Sequence, residues 1–216
     1  MEHRIVAYID GFNLYYGLKE KCWKRYYWLN LQRLVESLLK PNQELIRIKY
    51  FTARISSWDK DTPDHLKSVK EAKFKRQTVY LDALATLDKL TIYEGQYLPK
   101  VIKCEKCGNE WDSPEEKMTD VNMASELFSD ALDDNLDAAM IISGDSDLVP
   151  AVRILKSKFP QIRIVVAFPP SRVSKYMRKV ADAYFTIGEP NIRASLFPDM
   201  IIRPDGFILK RPKKWY

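Results

Sequence analysis

The chain is poor in the residues that staple or loosen a fold. Three cysteines, two of them in the pair Cys104-Glu-Lys-Cys107, cannot build a disulfide framework across 216 residues. A reducing, cytoplasmic setting is therefore expected. Seven glycines and twelve prolines are too few for a long disordered or collagenous segment. No stretch approaches the roughly 18 apolar residues of a membrane span, and the run Ile5 to Ile9 is also too short for a signal peptide. A soluble protein without a membrane partner is the expectation. Histidine occurs twice, as His3 and His65, and no histidine or lysine stands out as a general base.

What remains is a globular profile, 46% hydrophobic and 30% charged, long enough for one sizeable core with a small insertion or tail. The net charge of +6, from 35 basic and 29 acidic residues, permits a polyanionic partner without requiring one. Ile5 to Ile9 is a short buried-strand pattern, followed by helical spacing at Leu14 to Lys21 and Leu29 to Leu39. A strand at Leu45 to Thr52 precedes a long helix over Asp61 to Leu87, with Thr62-Pro63 as its start signal. Leu90 to Val101 reads as a strand, Thr119 to Leu132 as a helix and Ala138 to Ile142 as the plainest buried strand. A helix Leu148 to Lys158, a strand Arg163 to Phe168, a helix through Met177 and a strand near Tyr184 to Ile187 complete the alternation. Strands that are continuous apolar runs between helices imply a three-layer α/β/α sandwich around a mainly parallel sheet. The domain is expected over residues 1–188, with a CxxC hairpin insertion at 101–113 and a C-terminal extension at 189–216.

Two of these strands end directly in acid. Ile9 is followed by Asp10, and Ile142 by Ser143-Gly-Asp-Ser-Asp147; a third acidic element, Glu115 to Asp120, opens a helix. Ligands of open parallel sheets bind beyond the carboxyl ends of the strands. If the two strands are neighbours, Asp10, Asp120, Asp145 and Asp147 share one edge. Two carboxylates about 4 Å apart repel by roughly 4 kcal/mol at an effective dielectric near 20. Such a group either raises its own pKa values or binds a hard dication, Mg²⁺ or Mn²⁺. The plainer reading is that each acid caps the helix after it. Asn13 has the same two readings, as a residue orienting water or phosphate or as an ordinary first-turn asparagine.

Three segments carry a resemblance. Asp10-Gly-Phe-Asn13-Leu-Tyr-Tyr-Gly17, Glu116-Lys-Met-Thr-Asp120-Val-Asn-Met-Ala124 and Ser143-Gly-Asp-Ser-Asp147-Leu-Val-Pro150 resemble, in this order, the motifs of the NYN domain. More narrowly they are similar to its LabA-like branch, within the PIN-like superfamily of metal-dependent nucleases. The resemblance spans about Ile5 to Ile187. It implies a PIN-like sandwich and a Mg²⁺- or Mn²⁺-dependent endoribonuclease, in which metal-activated water attacks RNA to leave a 5′-phosphate and a 3′-hydroxyl. By position, Asp10, Asp120, Asp145 and Asp147 become metal ligands or holders of metal-bound water, and Asn13 a supporting polar residue. Glu116 matches no family ligand clearly. Arg153, Arg172 and Lys175 become candidate phosphate contacts. Some relatives bind RNA without cutting it, so a non-catalytic RNA-binding, regulatory module is the alternative. A phosphatase with an aspartate nucleophile is disfavoured, because position 12, where such enzymes commonly carry a second Asp, is Phe.

Cys104 and Cys107, followed by Gly108, look like one knuckle of a zinc ribbon, but zinc requires four ligands. Either Cys22 and a histidine complete the set, or two chains share the metal as a homodimer, or the hairpin is empty. Lys67, Lys70 and Lys73 share one helical stripe, a second candidate RNA contact or simply a solvated face. The aromatics Tyr15, Tyr16, Trp23, Tyr26, Tyr27 and Trp28 lie among basic residues and suit either stacking on unpaired bases or core packing.

Overall fold

In the computed structural model, which describes residues 3–55, 64–98, 101–112 and 115–216, the apolar run after His3 forms the central strand β1, His3–Asp10. Every residue from Ile5 to Asp10 is buried, as a strand covered on both faces must be. The chain continues through α1 (Gly11–Glu20), α2 (Leu31–Leu38), β2 (Gln43–Ala53), α3 (Asp64–Leu84) and β3 (Leu90–Leu98). A two-stranded hairpin, β4 (Val101–Lys103) with β5 (Glu110–Asp112), precedes β6 (Glu115–Lys117). Then follow α4 (Thr119–Leu132), β7 (Ala138–Ile142), α5 (Val149–Lys158), β8 (Arg163–Phe168), α6 (Lys175–Val180) and β9 (Ala183–Thr186). The expected start signal of the long helix, Thr62-Pro63, lies outside the described residues.

The sheet runs β6-β3-β2-β1-β7-β8-β9, and all neighbours are parallel except β6, which is antiparallel to β3. Side chains alternate along β1. Ile5, Ala7 and Ile9 pack with Leu14 and Leu18 of α1, Leu34 of α2 and Leu84 of α3, whereas Val6 and Tyr8 pack with Met123 and Leu127 of α4 and Val152 of α5. The result is the expected three-layer α/β/α sandwich.

The strand order carries one consequence for function. From β1 the chain moves outward through β2 and β3, then returns through α4 to β7 on the other side of β1, paired Ile9 to Ile142. The carboxyl ends of β1 and β7 therefore flank the point where the winding reverses, which is where an open parallel sheet leaves a crevice.

The C-terminal residues are not a loose tail. They form α7 (Glu189–Ala194) and a hairpin of β10 (Met200–Ile202) with β11 (Ile208–Lys210). Ile192, Phe197, Leu209 and Trp215 complete the core on the α1 face, and the Trp215 ring meets those of Tyr27, Trp28 and Tyr80. Proline and charge signal a break in regular structure; they do not report the apolar anchors spaced between them. Tyr26 and Trp28, two of the aromatics considered for RNA stacking, are buried here, while Tyr15 and Tyr16 stay exposed.

On the α4 face, Lys49 of β2 is 2% exposed and bonds Asp130 at 2.7 Å and Glu126 at 2.6 Å. Tyr8 donates its hydroxyl to Asp130 at 2.5 Å. Burial pulls the Lys49 ammonium down, but these hydrogen bonds outweigh it and hold its pKa above the ordinary value. Removing one member leaves a buried charge unpaired. Lys49→Met is expected to cost about 3–5 kcal/mol in urea unfolding, and the double change Lys49→Met with Asp130→Leu to recover most of that loss. A double variant no more stable than the single one contradicts this account.

Candidate metal centre

Asp10 is the last residue of β1 and the N-cap of α1. Its Oδ1 accepts the Asn13 N–H at 2.9 Å, and its Oδ2 accepts the Ser143 hydroxyl at 2.9 Å. The capping reading thus holds for Asp10 but not for Asp120 or Asp147, since the N-caps of α4 and α5 are Met118 and Leu148 and neither makes a side-chain cap bond. Ser143, fully buried at the end of β7, also accepts the Asp145 N–H at 3.0 Å. Asn13 accepts the Gly144 N–H at 2.9 Å, which ties α1 to the loop after β7. Gly144 is needed for closeness: a Cβ there would lie 2.0 Å from the Arg172 carbonyl oxygen. That approach brings Arg172 to the same opening.

The third acid arrives from the other side of β1. Met118, with φ +80, turns the chain from β6 into α4, a backbone region costly for a residue with a Cβ. Thr119 is buried and donates both its N–H, at 3.0 Å, and its hydroxyl to Glu116. This is a capping-box pairing run backwards, with the glutamate ahead of the helix. The turn sets Asp120 in the first turn of α4, facing Asp10 and Asp145.

Asp10, Asp120 and Asp145 each offer a carboxylate oxygen, and these oxygens lie within 4.8 Å of one another. At an effective dielectric near 20, each such pair repels by roughly 3–4 kcal/mol when both are ionised. Burial lifts the Asp10 carboxyl to about 6, against the pull of its hydrogen bonds from Asn13 and Ser143, and the Asp145 charge adds to the rise. Asp120 is also lifted to about 6, by burial first and then by the charges of Asp10, Asp145, Glu116 and Asp147. Asp147 is exposed and outside the three-carboxylate group; its N–H bonds Asp145 Oδ1 at 2.9 Å, and no side-chain cap holds α5.

Around the acids lies a small cleft lined by Asp10, Phe12, Asn13, Tyr16, Glu116, Thr119, Asp120, Asp145 and Arg172. Of the expected phosphate contacts, Arg172 is at this cleft, with its guanidinium 5.7 Å from the Tyr16 ring centre and paired to Glu20. Arg153 on α5, Lys175 on α6 and Lys67 and Lys70 on α3 are not among its lining residues. Lys67 pairs with Asp64, and Lys175 lies over the Tyr176 ring. Cys104 and Cys107 sit apart on the β4–β5 hairpin, and Cys22, just past α1, forms no converging ligand group with them. Ser143 and the lining position of Glu116 escaped the sequence reading, which placed Tyr16 among aromatics suited to stacking or core packing but not at this cleft. The signal for Ser143 was its place as first polar residue after an all-apolar strand.

The sign of the pH dependence follows from the two raised pKa values. Between about pH 4 and 6 the native Asp10 and Asp120 keep protons that the unfolded chain releases, so their contribution to stability falls as pH rises through that window. In chelator, Asp10→Asn should match the wild type near pH 4 and exceed it by about 3 kcal/mol by pH 7, read by urea titration. Asparagine can still cap α1. A difference that does not change with pH contradicts the electrostatic account.

Comparison with known proteins bears on the same residues. The family model described as the NYN domain matches residues 4–189, which include all three acids. The chain is 30% identical over 201 residues to 6-hydroxy-3-succinoylpyridine 3-monooxygenase HspA of Pseudomonas putida, covering 78% of this chain and 60% of that protein's length. Among solved structures, a protein of unknown function from Vibrio parahaemolyticus is similar at a TM-score of 0.51 and 18% identity, over 87% of this chain and 94% of that one. At that identity the likeness speaks for the fold alone. The NYN domain is a nuclease-like, RNA-related module that typically works with divalent metals. With its model spanning residues 4–189, and with the chain's acids meeting where β1, β7 and α4 converge, this chain belongs to the NYN domain family.

Proposed function

We propose that the chain is a metal-dependent endoribonuclease, with Asp10, Asp120 and Asp145 holding Mg²⁺ or Mn²⁺ and Asp147 beside them. One observation carries the reading. Three carboxylates from three separate elements converge within 4.8 Å, and among the described residues none of them pairs with a lysine or arginine. The donor set is all oxygen, which fits a hard dication rather than a thiophilic one. A bound ion of this kind supplies a Lewis acid that lowers the pKa of water and screens charge on a phosphodiester.

The chain's own side chains do the rest. Arg172 stands at the rim, braced against Tyr16 and Glu20, and its Nε is buried without an acceptor. A phosphate oxygen at the rim would compete with Glu20 for the guanidinium charge. Phe12 and Tyr16 line the same opening and offer ring surface to an unpaired base. Asn13 and Ser143 hold Asp10 and the loop carrying Asp145 in register, so the acids do not need to reorganise when a cation enters.

The relative named as a monooxygenase suggests hydroxylation of a small aromatic instead. The cleft favours the nuclease reading. Its volume of about 200 Å³ is below the roughly 300–1,000 Å³ that encloses a small organic ligand, and four carboxylates line it. An open acidic cleft suits a polymer laid across it.

The test is incubation of the purified protein with end-labelled RNA and Mn²⁺. Shortened RNA with 5′-phosphate ends is expected, with cleavage lost in EDTA and reduced about 100-fold or more in Asp10→Asn and Asp145→Asn while circular dichroism is unchanged. Arg172→Ala should weaken RNA retention. RNA that is retained but never shortened points to the non-catalytic RNA-binding module, and cleavage that persists in EDTA removes the metal from the reading.

A further inference from the structure

On one side the acidic cleft gives way to the outer face of α1. Leu14, Gly17 and Leu18 of this helix are buried, whereas Tyr15, Tyr16, Lys19 and Glu20 are exposed. Tyr15 and Tyr16 each keep 43% of their surface in water, although the core takes up Tyr26 and Trp28 a few residues later. Burial of such rings is favourable, so two adjacent tyrosines left outside call for a reason. They lean on one another, with ring centres 5.3 Å apart and planes at 70°, and Tyr15 rests against Tyr27 at 5.1 Å. Neighbouring rings thus hold the pair as a surface.

Two cations stand over that surface. The Lys19 Nζ lies 6.0 Å from the Tyr15 ring centre and 5.3 Å from that of Tyr16, and the Arg172 guanidinium lies 5.7 Å from Tyr16. Among the described residues Lys19 forms no ion pair. Gly17 builds this adjacency into the fold. A Cβ there would meet the Pro170 carbonyl oxygen at 2.5 Å, so α1 packs directly on the loop after β8 that carries Arg172. Tyr16 and Arg172 also line the cleft that holds Asp10, Asp120 and Asp145, and Tyr15 carries the aromatic surface outward from it. Phe12 differs, being half-buried and braced edge-on by Tyr97 at 5.8 Å. Exposed ring faces flanked by cations, and continuous with a place for a phosphodiester, match the flat base and the phosphates of a nucleotide. A base inside a duplex has both faces covered by its neighbours, so only an unpaired base can lie on these rings.

The geometry points to a base-binding subsite on α1. Tyr15 and Tyr16 stack an unpaired nucleobase beside the phosphate at the acids, and Lys19 meets the next phosphate of the same strand. The subsite deepens the nuclease reading and rests on it for the phosphate in the cleft. No bond forms or breaks here; the subsite fixes which nucleotide lies across Asp10, Asp120 and Asp145.

The experiment compares two strands of equal length on the full chain carrying Asp145→Asn, in Mn²⁺, where cutting does not compete with binding. One is an unpaired RNA containing 2-aminopurine; the other is a base-free ribose-phosphate strand with the same phosphates. The RNA should bind more tightly, with its fluorescence quenched. Adding Tyr15→Ala and Tyr16→Ala should weaken RNA binding by about 5-fold or more and relieve the quenching, while base-free binding stays the same. Tyr15→Phe with Tyr16→Phe should restore both, and circular dichroism should not change in either pair. Lys19→Ala should weaken both strands alike and reduce the salt slope by about 0.7. Equal losses on the two strands from the alanine pair, or fluorescence that binding does not quench, overturn the subsite. In the protein with Asp145 intact, cleavage whose KM the alanine pair leaves unchanged overturns the subsite and lets the nuclease reading stand. RNA that the tyrosines bind and quench but that is never cut does the reverse, and failure to bind either strand overturns both.

Discussion

Repulsion among Asp10, Asp120 and Asp145 is the constraint around which this molecule is arranged. Each acid arrives on a different element, from the end of β1, the first turn of α4 and the loop after β7, and nothing local in the chain forces them together. The sheet does. Because β7 returns beside β1 rather than beyond β3, the winding reverses between them, and the elements that follow each strand must part. The gap they leave is small, open and negative. A fold driven only by burial would have filled that position with apolar residues, since β1 from Ile5 to Ile9 and β7 throughout are fully buried around it.

Hydrogen bonds tie down the backbone that carries the acids. Ser143 and the α1 N-terminus fix both oxygens of Asp10, Asn13 fixes the loop bearing Asp145, and the Glu116–Thr119 pair fixes the turn into α4. Two close backbone approaches make this possible. Gly144 lies against the Arg172 carbonyl, and a Cβ on Gly95 of β3 would come 2.5 Å from the Lys117 carbonyl. With these partners in place the acids stand close together, and burial with the neighbouring charges lifts Asp10 and Asp120.

Much of this was legible in the residues. β7 and β8 and the helix at Thr119–Leu132 follow from continuous apolar runs and helical spacing, and acids directly after buried strands mark the edge of a parallel sheet. Three things were not legible, each for a physical reason. Whether β1 and β7 are neighbours is a property of winding, which periodicity does not carry. Asp145 and Asp147 look equivalent in Ser-Gly-Asp-Ser-Asp, but Asp145 uses one oxygen to hold the Asp147 N–H, and Asp147 is left exposed. Residues 189–216 read as an extension because prolines dominate their pattern, although Ile192, Phe197, Leu209 and Trp215 are core residues.

The other paired acids show how the fold treats a carboxylate that it means to neutralise itself. Asp130 is as buried as Asp10, and it receives Lys49 together with the Tyr8 hydroxyl. Asp137 has Arg4, and Asp182 has Lys156. In each case the cation comes from a neighbouring element, and neither Asp137 nor Asp182 has its pKa raised; both are held below the ordinary value. Asp10 is treated differently. It receives neutral donors only, and its nearest charged neighbours are further carboxylates. A lysine one helical turn away would have relieved the group at little cost in packing, since α1 already carries Lys19 and Lys21 follows it. The Lys19 ammonium instead lies over Tyr15 and Tyr16. Among the described residues, then, the fold pairs Asp130, Asp137 and Asp182 with bases of its own and leaves the Asp10 cluster without one.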